Sequence, residues 1–311
     1  MANHPKGWDA KPRAFSNADG SRLPKGETYM KRVVFFILTI TALMVLSGTT
    51  ALAATSIDIN TDNSEDGYIS VKFNTGSEKK IKLLVKGGDT KYYYNLSNSE
   101  SYVNFPLQMG NGDYTVAIYE NTAGTKYKKL TSKSFKVTLE NEHVVFLNSI
   151  QEIDFDDADI SVEKADELAA QALAAKVLAT GDVNAVLTTD ELIELYYEFV
   201  VQTIQYDYDK IKSLDYDYLP VNEITITTES GICYDYSSLL ASMLRSQGVP
   251  TKLVKGYTTW TSVYHAWNEV YLESEERWVI VDTTYDSYLY LRDRDYEFEK
   301  SLEVYSKSKE F

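Results

Sequence analysis

The sequence predicts an α+β fold in which an all-β, immunoglobulin-like region precedes a second domain of helices packed on an antiparallel sheet. Over residues 55–150, short runs rich in Val, Ile, Tyr, Phe and Thr alternate with turn-forming residues, as in a β-sandwich. Helical spacing of apolar residues begins after Ser161, and strand-like runs follow the helices. The length of 311 residues suits two domains of ~150 residues each, and the 44% hydrophobic content provides a core.

The N-terminal 53 residues divide into two segments that we separate from the fold. Residues 1–29 are polar, contain three of the six prolines and show no apolar periodicity, so we interpret them as an unstructured extension from an upstream start. Residues 30–53 combine a basic start, an apolar run and a small-residue ending, which is the pattern of a secretory signal peptide cleaved after Ala53. An uncleaved membrane anchor with a cytoplasmic tail is the less favoured alternative, because the run 33–46 is shorter than the ~20 residues of a bilayer span.

The charge balance excludes a nucleic-acid partner. Residues 1–53 hold 7 of the 31 Lys and Arg and 3 of the 46 Asp and Glu, which leaves 24 basic and 43 acidic residues in the remainder, a net charge of −19. Such a chain repels phosphate backbones and has no basic stripe. We therefore predict a secreted or cell-surface protein that meets the membrane only through its signal peptide.

The region 55–150 is predicted to contain seven strands separated by glycine-rich and polar turns. The predicted strands are 68–73, 80–85, 92–96, 102–107, 114–119, 134–139 and 144–147. No chemistry-bearing cluster interrupts them, so a role in binding, spacing or presentation is expected.

An acidic stretch at 151–160 follows and is interpreted as a linker, because it has neither helical nor strand period. Four aspartates cluster here, which raises the alternative of a calcium site: Asp154, Asp156, Asp157 and Asp159. The spacing and central glycine of an EF-hand loop are absent, so a solvated charge run is favoured.

The second domain, 161–311, opens with helices and continues with strands. A helix is predicted over 165–178, and Thr188 with Glu191 has the spacing of a capping box ahead of a helix at 192–204. Further on, the pattern predicts a helix over 234–247 and strands over 252–257, 263–272 and 277–282. The last two strands flank the polar turn 273–276 and are expected to form a hairpin.

Cys233 is the only cysteine of the chain, so no internal disulfide can form. It lies at the predicted start of a helix, where unpaired N–H groups and the helix dipole stabilise a thiolate, the reactive form of the side chain. Gly231 allows a tight turn just before it. A single cysteine can also be a small buried hydrophobic residue, but a histidine partner favours a nucleophile.

His265 is that partner by elimination, because His4 precedes the signal peptide and His143 lies in the β-rich region. If the hairpin turn is centred between residues 273 and 274, His265 lies directly opposite Asp282, with Cβ atoms ~5 Å apart. Asp282 would then orient the imidazole ring, although it could equally be a cap at a strand end. One cysteine and one usable histidine cannot form a zinc shell, and no nucleotide-binding loop occurs, so no metal or cofactor is expected.

At residues 190–290 the chain resembles the transglutaminase-like superfamily. The motifs that carry the resemblance are Gly231-Ile232-Cys233-Tyr234-Asp235-Tyr236-Ser237, Gly248-Val249-Pro250, Gly256-Tyr257, His265-Ala266-Trp267-Asn268-Glu269-Val270-Tyr271, Trp278 and Val281-Asp282-Thr283-Thr284. The resemblance implies a papain-like fold with a triad of Cys233, His265 and Asp282. Thr283 stands where the family often has proline, and no upstream side-chain oxyanion donor is assigned, Gln205 and Tyr206 being candidates by position.

These observations predict an exported enzyme that performs thiol acyl transfer on peptide or side-chain amides, by hydrolysis or by amine cross-linking. The expected partner is a protein or peptide, including cell-wall peptide. The alternative is a non-catalytic surface or wall-binding protein in which the triad is a relic.

Overall fold

The computed structural model describes residues 56–215 and 217–311. The predicted polar extension and signal peptide, residues 1–53, lie outside the described residues. Ala54–Phe311 form one compact unit. Within the described residues, every helix is too short or too polar to cross a bilayer.

Seven strands form two antiparallel sheets in the first part of the chain. They are β1 (Ser56–Asn60), β2 (Tyr68–Asn74), β3 (Ile81–Gly87), β4 (Thr90–Leu96), β5 (Val103–Pro106), β6 (Gly112–Ala123) and β7 (Lys126–Val137). One sheet has the order β1-β2-β5 and the other β4-β3-β6-β7. Alternate residues of β2 are buried, which is the pattern of a strand that covers a core with one face.

Six of the seven predicted strands of this region coincide with observed ones, but the prediction at 144–147 is wrong. Val144–Leu147 is a single 3₁₀ turn that buries Val145 and Phe146. Four consecutive apolar residues fit a buried turn as well as a strand, because periodicity cannot separate the two over so short a run. The first strand, β1, has no counterpart in the prediction.

The second part of the chain has five helices and six strands. In chain order they are α1 (Ile160–Thr180), α2 (Thr189–Thr203), β8 (Gln205–Tyr206), α3 (Asn222–Thr228), β9 (Ser230–Gly231), α4 (Cys233–Ser246), β10 (Thr251–Thr258), β11 (His265–Leu272), β12 (Arg277–Val281), α5 (Thr283–Tyr290) and β13 (Tyr305–Glu310). The predicted capping box is present: Thr188 accepts from the Glu191 N–H, and the Glu191 carboxylate accepts from the Thr188 N–H. The helices α3 and α5 and the strand β13 were not predicted.

The strands β12, β11, β10 and β13 form an antiparallel sheet in that order, and α4 packs on it. Twelve of the fourteen residues of α4 are buried. Asn268 of β11 fixes the helix to the sheet, because its side-chain amide donates to the Ser237 carbonyl oxygen at 2.9 Å and to the Lys252 carbonyl oxygen at 3.1 Å. This packing gives the α+β architecture that the sequence predicted.

The two parts share a hydrophobic core. Phe311 packs edge-on against Tyr92 and Tyr94, with ring centroids 5.8 and 6.1 Å apart. The buried guanidinium of Arg245 donates to the carbonyl oxygens of Asn148 and Phe311 at 2.6 and 2.9 Å. The predicted division into domains at 55–150 and 161–311 stays a prediction.

The stretch predicted as an acidic linker is packed against this shared core. Ile150 and Ile153 are buried and pair with each other, and Glu152 between them is only 6% exposed. The acidic composition of 151–160 concealed the buried Ile153, because this apolar residue is not part of a strand or helix period.

Candidate active site

The ends of three elements bring Cys233, His265 and Asp282 together. Cys233 is the first residue of α4 and His265 the first residue of β11. Asp282 directly follows β12, the antiparallel neighbour of β11. The start of one strand lies beside the end of its antiparallel neighbour, so the histidine and the aspartate meet at the same edge of the sheet.

The predicted hairpin register is wrong by two residues. Tyr271 pairs with Trp278 and Asn268 with Val281, so His265 is diagonal to Asp282 instead of directly opposite. The turn is longer than expected, because Glu273–Glu275 form a 3₁₀ turn and Glu276 adopts a left-handed conformation with φ of 51°. A shift of two residues keeps each side chain on its face of the sheet, so the proximity survives.

His265 and Asp282 form a buried pair. The Nε2 atom of His265 donates to Oδ2 of Asp282 at 2.8 Å, and the two side chains are 4% and 0% exposed. Asp282 has two further partners: its Oδ1 accepts from the Tyr285 N–H at 3.1 Å, and its Oδ2 accepts from the Tyr305 hydroxyl at 2.8 Å. The aspartate therefore caps α5 and holds the imidazole at the same time, so both interpretations of its sequence position hold.

The other side of the imidazole faces the thiol. Cys233 lines the same cleft as His265 and helps to raise its pKa, and Nδ1 is the ring nitrogen that the contact with Asp282 leaves free. Burial lowers the pKa of His265, but the charge of Asp282 and the hydrogen bonds to Asp282 and Cys233 outweigh it and raise the pKa to about 10. The surroundings thus favour the protonated imidazolium form of His265.

Trp260 covers the histidine. Its ring stands edge-on to the imidazole with centroids 4.7 Å apart and also lies 4.8 Å from the Tyr285 ring. Indole and phenol rings around the imidazole keep water from its faces, which strengthens the electrostatic contact with Asp282.

The turn before Cys233 is fixed by a buried carboxylate. Asp235 is fully buried, and its Oδ2 accepts from the Ile232 N–H at 2.8 Å and from Lys210 Nζ at 2.7 Å. Its other oxygen accepts from the Tyr218 hydroxyl. A Cβ atom at Gly231 would lie 2.7 Å from the Asp235 Cβ, so only glycine fits where the chain enters α4.

Cys233 and His265 line a cleft of about 730 Å³. Both oxyanion-donor candidates, Gln205 and Tyr206, line the same cleft, because β8 pairs with β9 just before the cysteine. Burial, together with the nearby Cys233, Tyr208 and Asp235, raises the pKa of Tyr206 to about 12, so its hydroxyl stays protonated.

Three contributors to the site were missed by sequence reasoning: Trp260, Tyr305 and Lys210. Trp260 lies in the loop between two strands and Tyr305 opens a strand near the end of the chain, so neither is adjacent to a recognisable motif. Lys210 lies in a loop rich in aspartate and tyrosine, where no local pattern indicates that its side chain reaches a buried carboxylate. In the described part of the chain, the acidic, histidine and cysteine side chains form no group of three or more that could hold a metal ion.

A search of known families and proteins gave two matches in sequence. The model of the family described as "Transglutaminase-like superfamily" matches residues 163–283, which include Cys233, His265 and Asp282. The uncharacterized protein YebA of Bacillus subtilis (strain 168) is 26% identical over 238 residues, which cover 70% of this chain and 29% of that protein. The chain thus spans less than a third of the length of this relative.

Solved structures give weaker likenesses. A candidate cysteine protease from Cytophaga hutchinsonii has a TM-score of 0.35 and 14% identity, with 67% of each chain covered. Red sea bream transglutaminase has a TM-score of 0.33 and 11% identity, covering 74% of this chain and 53% of that one. Legionella pneumophila LapG has a TM-score of 0.29 and 22% identity, covering 40% of this chain and 74% of that one. The family match identifies residues 163–283 as a region similar to the core of the transglutaminase-like superfamily.

Proposed function

We propose that this protein is a thiol acyl-transfer enzyme that acts on peptide or side-chain amides, with Cys233 as nucleophile, His265 as base and acid, and Asp282 as the group that orients the imidazole. One observation carries the proposal: the only cysteine of the chain begins a helix, lines the same cleft as His265 and helps to raise the pKa of this histidine, which is itself held by a buried carboxylate. The superfamily includes cysteine proteases and acyltransferases.

The reaction follows from this arrangement. The proton that the Cys233 thiol gives up is already on Nδ1 of His265 when the sulfur attacks the amide carbon. The C–N bond then breaks, the imidazolium gives its proton to the leaving amine, and a thioester remains on Cys233. Water or an amine attacks the thioester, the imidazole takes the proton of the attacking group, and the proton returns to sulfur as the acyl group leaves.

The developing oxyanion needs donors beside the sulfur. The backbone N–H of Cys233 is in the first turn of α4, where N–H groups lack partners within the helix. The Tyr206 hydroxyl is the second donor in this proposal, since the residue is half-buried in the same cleft as Cys233 and its raised pKa keeps the hydroxyl protonated. Gln205, which is exposed at the cleft, is the other candidate.

Hydrolysis and amine cross-linking share the steps that lead to the thioester and differ in the group that attacks it. We favour hydrolysis of a protein or peptide, including cell-wall peptide, because water needs no acceptor site. Export is part of the proposal: the signal-peptide pattern at 30–53 supports a secreted or cell-surface location. The strand orders β1-β2-β5 and β4-β3-β6-β7 support an immunoglobulin-like sandwich over 55–150 that binds or presents.

Thiol labelling tests the activated cysteine. Wild-type protein is treated with iodoacetamide near pH 6, and adduct formation at Cys233 is followed by mass spectrometry. We expect fast labelling that slows at least tenfold in His265→Ala and is unchanged in the control His143→Ala, whose ring stacks on Tyr271 at 4.1 Å, at the other end of β11. Slow labelling of the folded wild type would favour the alternative, a non-catalytic surface or wall-binding protein.

A product assay then separates the two enzymatic outcomes. Glutamine-containing peptides are incubated with a fluorescent primary amine, and both amine incorporation and release of ammonia or shorter peptides are measured. Release without incorporation is the expected result and indicates hydrolysis. Incorporation that requires Cys233 indicates transfer, and neither product from any substrate contradicts acyl transfer.

A further inference from the structure

We propose that Arg292 and Arg294 form a site in the catalytic cleft that binds a carboxylate group of the substrate. The inference rests on the proposed function, since it assigns the chemistry of the peptide that the cleft receives. Both arginines line the same cleft as Cys233 and His265. They follow directly after α5, the helix that Asp282 caps.

The charge of the cleft is opposite to that of the chain. Residues 54–311 contain 43 acidic and 24 basic residues, yet the cleft is lined by two arginines and by no aspartate or glutamate. A surface arginine in so acidic a chain readily finds a carboxylate, as Arg277 does with Glu275 and Glu299. Within residues 56–215 and 217–311, neither Arg292 nor Arg294 forms an ion pair.

The backbone and the cleft wall hold the guanidinium of Arg292. Its Cζ lies 3.7 Å from the centre of the Tyr288 ring, and its Nη1 donates to the Tyr288 carbonyl oxygen at 3.0 Å. A guanidinium has five N–H donors, so most of them remain for a ligand. Asp293 between the two arginines has a left-handed backbone with φ of 51°, an uncommon conformation for a residue other than glycine, and the residues on both sides of it line the cleft.

A carboxylate is the ligand that fits two unpaired guanidinium groups beside an aromatic wall. The planar fork of arginine matches the two oxygens of a carboxylate and forms charge-assisted hydrogen bonds. Tyr288 and Leu291, which also line the cleft, offer apolar surface to the methylene groups of a glutamate side chain. The net negative charge of the protein opposes this contact only weakly, because salt screens distant charges beyond ~8 Å.

In the substrate, we expect the bound carboxylate to lie within a few residues of the amide that Cys233 attacks. A cleft of about 730 Å³ lies within the usual range of ligand sites and holds about three residues of extended peptide at ~3.4 Å each. Such a carboxylate has two sources, an acidic side chain or the free C-terminus of a peptide. The two share the same chemistry and are separated by the choice of test peptides.

Binding to an inactive variant tests the site without catalysis. In Cys233→Ala, dissociation constants are measured by fluorescence anisotropy for labelled peptides that contain one glutamine. One peptide has neutral flanks, two carry glutamate two residues before or after the glutamine, and one pair ends two residues after it in a free or an amidated C-terminus. We expect at least one carboxylate peptide to bind about tenfold tighter than its neutral counterpart, and the preferred peptide identifies the source of the carboxylate.

The arginines are tested by substitution in the same background. Arg292→Gln with Arg294→Gln is expected to abolish the tenfold preference, whereas Arg277→Gln, which removes an exposed arginine outside the cleft, keeps it. Equal affinities for acidic and neutral peptides, no binding of either, or a preference that survives the double substitution would each overturn the inference. If acidic peptides bind through the arginines but the wild-type enzyme turns over no peptide, the carboxylate site stands and the proposed acyl transfer fails. If the enzyme turns over all peptides with equal kcat/KM, the acyl transfer stands and the carboxylate site fails.

Discussion

The side chain of Asp282 has two structural roles, because it holds the imidazole of His265 and caps a helix. Its Oδ2 holds His265 and accepts from Tyr305, while its Oδ1 caps α5 through the Tyr285 N–H. The side chain is fully buried, so its charge acts on the imidazole with little screening by solvent. This charge is a main reason why the pKa of His265 is raised to about 10 although burial alone would lower it.

Asp282→Asn keeps a capping oxygen but removes the charge. We expect kcat to fall about 10³–10⁴-fold, because the imidazolium loses its anionic partner and the ring its preferred tautomer. Without the carboxylate charge, the largest effect that opposes burial is lost, and the pKa of His265 falls. Measured kcat values and the pH profile of thiol labelling check both points; unchanged labelling at pH 6 would falsify the role of this charge.

For the same substitution, we expect a change in the free energy of unfolding whose size depends on pH. A histidine whose pKa is raised in the folded state stabilises the fold fully below its unfolded value of about 6.5, and the contribution is lost as pH rises through about 10. The free energy of unfolding should therefore differ most between wild type and Asp282→Asn at pH 6 or below, and the difference should shrink towards pH 10. Urea titrations at pH 6, 8 and 10 measure it, and a gap that grows with pH contradicts the assignment.

Tyr206 gives the second prediction at this scale. Tyr206→Phe is expected to lower kcat about 10²-fold, the usual cost of one oxyanion donor, with little change in the labelling rate of Cys233, which needs no such donor. Gln205→Ala serves as the comparison, since the glutamine is exposed at the same cleft. A larger loss in Gln205→Ala than in Tyr206→Phe would transfer the role to the glutamine.

The sequence predicted the residues whose chemistry is rare and missed those whose chemistry is common. Cys233 is unique in the chain and His265 one of three histidines, so elimination identified them. Tyr305 is one of 25 tyrosines, and nothing in its local pattern distinguishes a ligand of Asp282 from a surface residue. Trp260 lies in a loop, where no periodicity predicts which way a side chain faces.

At the scale of elements, β10 and β13 approach each other more closely at Gly256 than any other residue type permits. A Cβ atom there would lie 2.1 Å from the Ser306 carbonyl oxygen and 2.8 Å from the Trp267 ring. The register of β10 against β13 shifts next to this glycine. The neighbouring residue of β13, Tyr305, is the one that reaches Asp282.

Gly256→Ala is expected to destabilise the fold by about 3 kcal/mol, because a backbone atom has to move to relieve the clash. Displacement of β13 should also draw the Tyr305 hydroxyl from Asp282 and lower kcat. Gly88→Ala is the control: its φ is +57° but its surroundings are open, so it carries backbone strain of ~1 kcal/mol without a clash. Chemical denaturation and kinetics measure both; equal costs for the two variants would contradict the close approach.

Prediction of elements succeeded where local signals were strong and failed where long-range contacts decide. The Thr188–Glu191 capping box is a local signal for the start of α2, and the apolar period over 234–247 is a local signal for α4. The strand β13 is rich in Ser, Lys and Glu, with no buried residue of its own, and exists because β10 supplies its hydrogen-bonding partner. The two-residue error in the hairpin has the same origin, since sequence does not show how many residues a turn consumes.

At the scale of the whole molecule, the shared core joins the β-rich part to the transglutaminase-like core. Phe311 packs on Tyr92 and Tyr94, and the buried Arg245 binds carbonyl oxygens from both parts. These contacts join residues more than sixty positions apart, and no periodic pattern in the sequence predicts them. Ala54–Phe311 form one compact unit, and the division into two domains that the composition suggests stays a prediction.

Phe311→Ala tests this coupling. Truncation of a buried phenylalanine is expected to cost about 3–5 kcal/mol. Because the ring contacts both parts, the loss should lower the stability of both together, and a protein of residues 54–311 should unfold in one transition before and after the change. Calorimetry and limited proteolysis of each part measure this, with exposed Leu302→Ala, 78% accessible, as the control. Two separate transitions in the wild type would contradict a common core.

The helix α5 begins at the carboxylate that holds the imidazole and ends two residues before Arg292. This helix has eight residues and a length of ~12 Å, so we expect it to move as one rigid element. A peptide carboxylate bound by Arg292 at one end of this helix is therefore connected through the helix to Asp282, which orients His265 at the other end. Shortened substrates that lack the carboxylate group should accordingly show a lower kcat as well as a lower affinity.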